Sequence, residues 1–458
     1  MSNSSPLVVI NIVGLTPALL GQHTPNLNNL IKDSVMTPAG GIFPAVTTTV
    51  QSSMLTGALP SQHGIVGNGW YFRDLAEVMF WKQSNHLVQG DKVWDGLKQT
   101  KVNFRVSKLF WWYNMHANVD YSMTPRPHYP ADGRKVMDLY SWPKNLHHPI
   151  EAQIGKFPFF NFWGPKANIQ SSDWIAKAAA LEFDQHKPDL QLVYLPHLDY
   201  NLQRLGPNDD RIWQDVAQID AVVGRLIDHV KSRGAEVMVV SEYGIDAVDT
   251  PVGINQVLRE QGYIEVRDSL EWELLDAGAS RAFAVADHQI AHVYIKEAKD
   301  ISAVKQLLEN TSGIERVLDD AGKKEFGIDH TNAGELVAIA EQGAWFTYYY
   351  WLDESKAPDF ARCVDIHNKP GYDPVELFVD PAIKWPMMKV GYRLLQKKLG
   401  FRMLMDVIPL SPELVKGSHG RLISYSDNGP ILITPKALAN DHNSLMDVAK
   451  LITEHFRT

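Results

Sequence analysis

The sequence has a single cysteine, Cys363, among 458 residues. A lone thiol forms no internal disulfide, so nothing in cysteine usage asks for an oxidising compartment; the expectation is a buried structural thiol in a cytoplasmic protein. Long apolar runs are missing as well. Residues 6–13 (PLVVINIV) fall far short of the ~20 residues of a membrane span. No basic segment precedes them and no small-residue cleavage site follows, so neither a signal peptide nor a membrane anchor is expected. An excess of positive charge is missing too. The net charge is −9 and the pI near 6.0, with no arginine stripe and no run of basic residues. That balance gives no field to draw a nucleic acid polymer or an anionic membrane. Internal repeats and low-complexity tracts are absent, and oligomeric state has no signature in the chain.

What is present is a substantial apolar fraction, 45%. Residues 7–13 are rich in Val and Ile and stop at Gly14, as a buried strand does. Thr24 fits an N-cap and Pro25 a first helical position, with Leu27, Leu30 and Ile31 at helical spacing. Strand-like runs recur at 103–110, 190–195, 236–241, 283–295, 335–340 and 430–434. Helical patterns lie between them at 92–98, 172–186, 211–233, 252–261, 304–307 and 444–456. This alternation predicts an α/β fold, a three-layer sandwich with a mostly parallel central sheet and helices on both faces. Two stretches break the rhythm. Residues 70–165 are dense in aromatics and proline, including Trp111-Trp112-Tyr113, and read as an insertion capping the site. Residues 343–410, with Tyr348-Tyr349-Tyr350-Trp351, read as a second insertion within one domain spanning 1–458. Aromatics at this density line cores or clefts.

In open α/β sheets, ligands bind beyond the carboxyl ends of the strands. Several polar segments lie at such ends. Phe43-Pro44-Ala45-Val46-Thr47-Thr48-Thr49 leads into a helix expected from about Val50. A hydroxyl there meets free backbone N–H groups and the positive end of a helix dipole, which favour an anion and an ionised attacking oxygen. Taken alone, the three threonines also read as capping residues. His197-Leu198-Asp199 follows one strand, Glu242-Tyr243-Gly244 another, and Gly417-Ser418-His419-Gly420 precedes the last. Carboxylates and imidazoles in such places suit zinc and other first-row metals. Further imidazoles fall in Asp287-His288-Gln289-Ile290-Ala291-His292 and in Asp365-Ile366-His367. If these segments are extended, His288 shares a face with His292, His197 with Asp199, and Asp365 with His367.

In order along the chain, FPAVTTTVQSSMLTGALPSQHGI, LDYNLQRLGP, SEYG and GSHG resemble the nucleotide pyrophosphatase/phosphodiesterase branch of the alkaline phosphatase superfamily. Phosphonoacetate hydrolases are similar cousins. The resemblance covers most of the chain and implies a threonine nucleophile at Thr47 beside two zinc ions. This sequence departs from the pattern at several of the implied ligands. The aspartate before the glycine that ends the first strand falls on Val13, with Asn11 two residues earlier on the same face standing in. The asparagine three residues after the nucleophile falls on Val50, the histidine four residues after Asp199 on Gln203, and an Asp-His pair on Glu242-Tyr243. Thr47, Asp199 and His419 are kept.

The resemblance therefore implies one divalent metal rather than two, zinc foremost. It would be held by Asp199 and His419 with Glu242, and with one of His197, His288 or His367 recruited. Thr47, Glu242 and Tyr243 are the implied catalytic groups; Asn11, Thr48, Gln203 and Trp112 are the implied substrate contacts. The leading expectation is a hydrolase of a phosphodiester, pyrophosphate or phosphonate ester acting through a phosphothreonine. Two alternatives stand beside it. One is isomerase, transferase or lyase chemistry on the same fold, with Glu242, Tyr243, His288 and His367 as acid–base groups. The other is a catalytically inactive protein that binds a small molecule or a partner. The kinship and the hydrolytic mechanism require Thr47, Asp199, Glu242 and His419 to converge on one pocket.

Overall fold

The computed structural model describes residues 4–131, 134–423, 426–438 and 444–457. Leu7–Ile12 is buried at every position, as a continuous apolar run requires of a central parallel strand. Glu236–Val240 pairs with it in parallel on one side and Leu190–Leu195 on the other. Val106–Leu109 and Tyr121–Pro125 extend the parallel set. Antiparallel strands complete an eight-stranded sheet: Leu139–Trp142 at one edge, Ile431–Pro435 and then Ser34–Pro38 at the other. One apolar core joins this sheet to the flanking helices Ile169–His186, Ile212–Lys231 and Val448–Arg457. The mostly parallel α/β architecture read from the sequence is the observed one, and the five parallel strands align their carboxyl ends along one rim.

A second, antiparallel sheet runs in the order Ala282–Asp287, Ile290–Ile295, Leu336–Ala340, Ile314–Leu318. It has its own core, shared with helices Ile254–Glu260 and Ile301–Glu309. Two of its strands come from the run 283–295, which the sequence presented as one. The run is a hairpin: Asp287 pairs with Ile290, and His288 makes the bend with φ of +62°. His288 and His292 therefore do not share a face. His292 lies within a strand, where Nε2 bonds the Val66 carbonyl and Nδ1 the Gly334 N–H.

Other expectations also change. Leu190–Leu195 gives way after Pro196 to the helix His197–Leu205, so His197 and Asp199, two residues apart, lie on different helix faces. Residues 366–368 form a turn, so Asp365 and His367 are not paired along a strand. Thr24 takes the N-cap place before the helix Pro25–Lys32, but its hydroxyl accepts from the Gly21 N–H instead of from the helix. Residues 70–165 are not an insertion throughout, since three of their strands belong to the main sheet. The hairpin Gly69–Phe72 with Glu77–Phe80 stands apart from that sheet. In 343–410, Ala344–Phe346 pairs only with Thr250–Val252, and a helix absent from the sequence reading occupies Pro386–Lys398. Cys363 is half-buried instead of buried as expected, and that burial pushes its thiol up to about 12, away from the reactive thiolate. Among the described residues no helix is long and apolar enough to cross a membrane.

Candidate active site

The helix Thr47–Thr56 begins three residues earlier than expected. Val46 takes the N-cap position, so the threonines do not cap it. Thr48 donates its hydroxyl to the Gly67 carbonyl (2.8 Å) and its N–H to Asn68 Oδ1 (3.0 Å). These bonds hold the neighbouring loop and remove Thr48 from the expected substrate contacts. Thr47 differs: its Oγ1 shares a 2.9 Å hydrogen bond with the Tyr243 hydroxyl. The first residue of a helix and the segment after a central strand thus meet at one oxygen.

Glu242 is fully buried beside them. Its Oε1 accepts from Asn11 Nδ2 (2.6 Å) on the first strand and from Gln51 Nε2 (2.7 Å), one helical turn after Thr47. Gln51 Oε1 in turn accepts the Trp112 N–H at 2.8 Å. Glu242 Oε2 and Asn11 Oδ1 have no hydrogen-bond partner. Burial pushes the Glu242 carboxyl up to about 8, against the pull of Gln51, Asn11 and Thr47 toward the charged form.

Asp199, in the first turn of its helix, accepts from Gln203 Nε2 at 2.8 Å, the pairing that four-residue spacing allows. Gln203 Oε1 accepts from the Tyr372 hydroxyl at 2.9 Å, so both ends of its amide are committed within the protein and none is left for substrate. Burial raises the Asp199 carboxyl to about 7, and its Oδ1 is unpartnered. That oxygen faces His419 Nε2 at 3.9 Å. His419 Nδ1 donates to the Ala45 carbonyl at 2.7 Å, which leaves Nε2 as a bare acceptor. Burial holds the His419 ring neutral, well below the usual imidazole range.

Four buried rings lie in a row through this region. Tyr372 lies 3.6 Å from His288, His288 3.7 Å from His419, and His419 3.7 Å from Tyr243, centroid to centroid. The hairpin bend supplies His288, anchored by Asp287 Oδ1 at 2.8 Å; Asp287 is itself gripped by the N–H and side-chain amide of Asn68.

The implied metal centre does not fit these residues. Val13 offers no donor. A phenol, bonded to Thr47 and lying flat on His419, stands where the resemblance implies an imidazole. Asp199 and His419 supply two converging donors, but Gln203 is committed elsewhere. His288 does not complete the set: two imidazoles on one tetrahedral zinc, with Zn–N of about 2.0 Å, need ring centres roughly 5 Å apart. With centroids 3.7 Å apart and planes tilted by 37°, the two rings fail that condition. His367 sits beside the Phe80 backbone and Lys135 instead, where burial lowers it to about 4. Among the described residues no three His, Cys, Asp or Glu side chains are disposed to hold a metal.

The structure therefore brings Thr47, Asp199, Glu242 and His419 together, with Asn11, Gln203, Tyr243 and His288, and leaves His367 outside. His197 is aimed at Asp215, 3.4 Å away, instead. Trp112 reaches the group through its backbone, while its ring packs on Trp81 at 4.8 Å. Sequence reasoning missed Gln51, which four-residue spacing from Thr47 could have indicated. It also missed Tyr372 and Asn68, which carry no such signal.

The chain has relatives of known sequence and of known fold. An uncharacterised pyrophosphatase/phosphodiesterase of Schizosaccharomyces pombe is 25% identical over 254 residues, 53% of this chain and 45% of that protein. Ectonucleotide pyrophosphatase/phosphodiesterase 2 of Saccharomyces cerevisiae is 23% identical over 278 residues, 56% of this chain and 50% of its own. The chain thus matches about half the length of these curated relatives. Among solved structures, phosphonoacetate hydrolase from Sinorhizobium meliloti, in complex with phosphonoformate, superimposes with a TM-score of 0.63 at 13% identity, covering 99% of this chain and 96% of that one. Murine ectonucleotide pyrophosphatase/phosphodiesterase 5 gives 0.58 at 14%, covering 99% and 95%. At these identities the structures establish a shared fold. The family description of type I phosphodiesterase/nucleotide pyrophosphatase matches residues 7–373, and the chain belongs to that family.

Proposed function

We propose that this chain is a cytoplasmic hydrolase of a small phosphate- or phosphonate-ester substrate, a phosphodiester or pyrophosphate foremost, with Thr47 as nucleophile. The observation that carries this reading is the Thr47 hydroxyl at the first position of its helix, bonded to Tyr243 beside the buried Glu242. In this reading the helix N-terminus receives the phosphoryl oxygens. The Oγ–P bond forms as the bond from phosphorus to the leaving oxygen breaks. In its ionised form Glu242 takes the hydroxyl proton on Oε2 and passes it to the leaving oxygen. Tyr243, kept protonated by burial, orients Oγ1. Water then attacks the phosphothreonine, restores the hydroxyl and releases the phosphoryl group. Asp199 Oδ1 and His419 Nε2 are the acceptors available to hold that water.

A threonine-to-alanine form of the murine relative, solved with AMP, is inactive, which supports the role given to Thr47. A second reading, acid–base chemistry on the same fold, is favoured by two carboxyls raised toward neutrality, Asp199 and Glu242. The deciding experiment incubates purified full-length protein with bis(p-nitrophenyl) phosphate, a dinucleoside pyrophosphate and a phosphonate monoester, with and without EDTA or added Zn2+. It then acid-quenches the reaction and measures the mass of the Thr47 peptide. Turnover with a trapped phosphothreonine, both lost in Thr47→Ala, is the expected result. Hydrolysis at the parent rate by Thr47→Ala would overturn the assignment, and no turnover of any ester would favour the second reading.

A further inference from the structure

The helix Pro386–Lys398 is turned the wrong way for a helix in water. It has no buried residue. Met388, Tyr392, Leu395 and Leu399 follow at spacings of four, three and four, forming one stripe, and they are 71%, 59%, 52% and 64% exposed. Trp385 before them and Phe401 after them are 70% and 66% exposed. The side facing the body carries Lys389 and Arg393, both ion-paired with Asp406, each at 2.9 Å, with Val390 between them packed on a small apolar cluster. The apolar stripe therefore points outward because the basic side is held inward.

The same segment concentrates positive charge. Residues 381–405 contain six Lys and Arg and no Asp or Glu, in a chain whose net charge is −9. Two of the six are those bound to Asp406; Lys384, Lys397, Lys398 and Arg402 are exposed beside the apolar stripe.

We propose that this helix docks the protein on an anionic lipid surface, lying in the interface without crossing it. At 13 residues it is too short to span a bilayer. Its composition is that of an interfacial helix: an apolar stripe, flanking aromatics able to sit at headgroup level, and long cationic side chains able to reach acidic headgroups. Charge complementarity selects this occupant over a second copy, since a symmetric pairing through the face would bring two cationic segments together. The proposal does not depend on the chemistry assigned to Thr47.

The test is flotation of the full chain with vesicles of phosphatidylcholine alone or with 30% phosphatidylserine, at 0.1 M and 0.5 M salt. The wild type is expected to float with the acidic vesicles, at least tenfold less with neutral ones, and less at high salt. Met388→Ser combined with Tyr392→Ser, Leu395→Ser and Leu399→Ser should lose flotation while keeping the parent melting temperature, because all four side chains are exposed. Lys397→Glu with Lys398→Glu should weaken it without touching the stripe. Absence of wild-type flotation, equal binding to neutral vesicles, or undiminished binding by the serine variant would each overturn the proposal. So would a dimer by light scattering that the serine variant abolishes, which would show that a second copy covers the face.

Discussion

Glu242-Tyr243, where the family resemblance implies an Asp-His pair of metal ligands, supplies hydrogen-bonding groups instead. The consequence is a carboxyl that is neutral over part of the physiological range. Glu242 ionises near 4.5 in an unfolded chain and near 8 when folded. Between those values the folded state holds a proton that the unfolded state has released, so stability falls as pH rises from about 4.5 to about 8 and levels off above. Asp199 adds a similar decline between about 3.8 and about 7. Thermal melts of chelator-treated protein should show Tm dropping from pH 5 to pH 8. Glu242→Gln keeps an oxygen for Asn11 and Gln51, so it should remove the part of the slope above pH 7; an unchanged profile would assign the decline elsewhere. Tyr243→Phe keeps the ring on His419 and deletes only the 2.9 Å bond to Thr47. Loss of one such bond, worth about 1–3 kcal/mol in a buried site, should slow ester hydrolysis by about 10–100-fold with the circular dichroism spectrum intact. At this scale the ordered motifs made Thr47, Asp199, Glu242 and His419 legible. The use of Gln203 was not, because its partner Tyr372 lies 169 residues away.

Elements place these residues by close backbone contact. Gly417–Ser418, which leads into His419, lies against the end of the helix that carries Asp199. A Cβ on Gly417 would stand 2.0 Å from the Leu202 carbonyl oxygen and 2.8 Å from the Ile245 side chain. The Lys416 N–H is bonded to the Gln203 carbonyl at 2.9 Å, so the segment cannot slide to make room. Gly417→Ala should therefore cost about 1–3 kcal/mol, the usual range for overpacking, and separate His419 from Asp199. A lowered Tm together with reduced turnover would bear this out; a parent-like melt would show that the contact yields freely. Element boundaries were the least legible feature of the sequence. An apolar run from 283 to 295 reads as one strand by composition, and only the polar triplet Asp287-His288-Gln289 within it marks the bend that delivers an imidazole to the site. Likewise, Pro196 stops Leu190–Leu195 and starts a helix, which gives Asp199 a partner four residues on instead of two residues back.

For the whole molecule, the parallel order of the sheet explains why distant motifs met. Segments at the carboxyl ends of adjacent parallel strands have no other place to go, so family order along the chain became proximity in space. The exposed basic helix was illegible for the opposite reason: six cations spaced through 25 residues make no run, and only the fold shows which side they occupy. The stretch 343–410 is tied to the rest by a buried cluster. Lys369 Nζ lies 2.6 Å from Asp373 and 2.7 Å from Glu376, and Glu376 also accepts from Trp163 Nε1 at 2.6 Å. Removing one partner from a buried set of charges leaves the others uncompensated, at about 3–5 kcal/mol, whereas neutralising the whole set costs far less. Lys369→Met should thus lower Tm sharply. Adding Asp373→Asn and Glu376→Gln to it should recover much of the loss, because no buried carboxylate is then left without its cation. Urea melts of the three forms distinguish the cases: equal loss in the single and triple variants would mean that packing around the lysine stem, not its charge, fastens this stretch to Trp163.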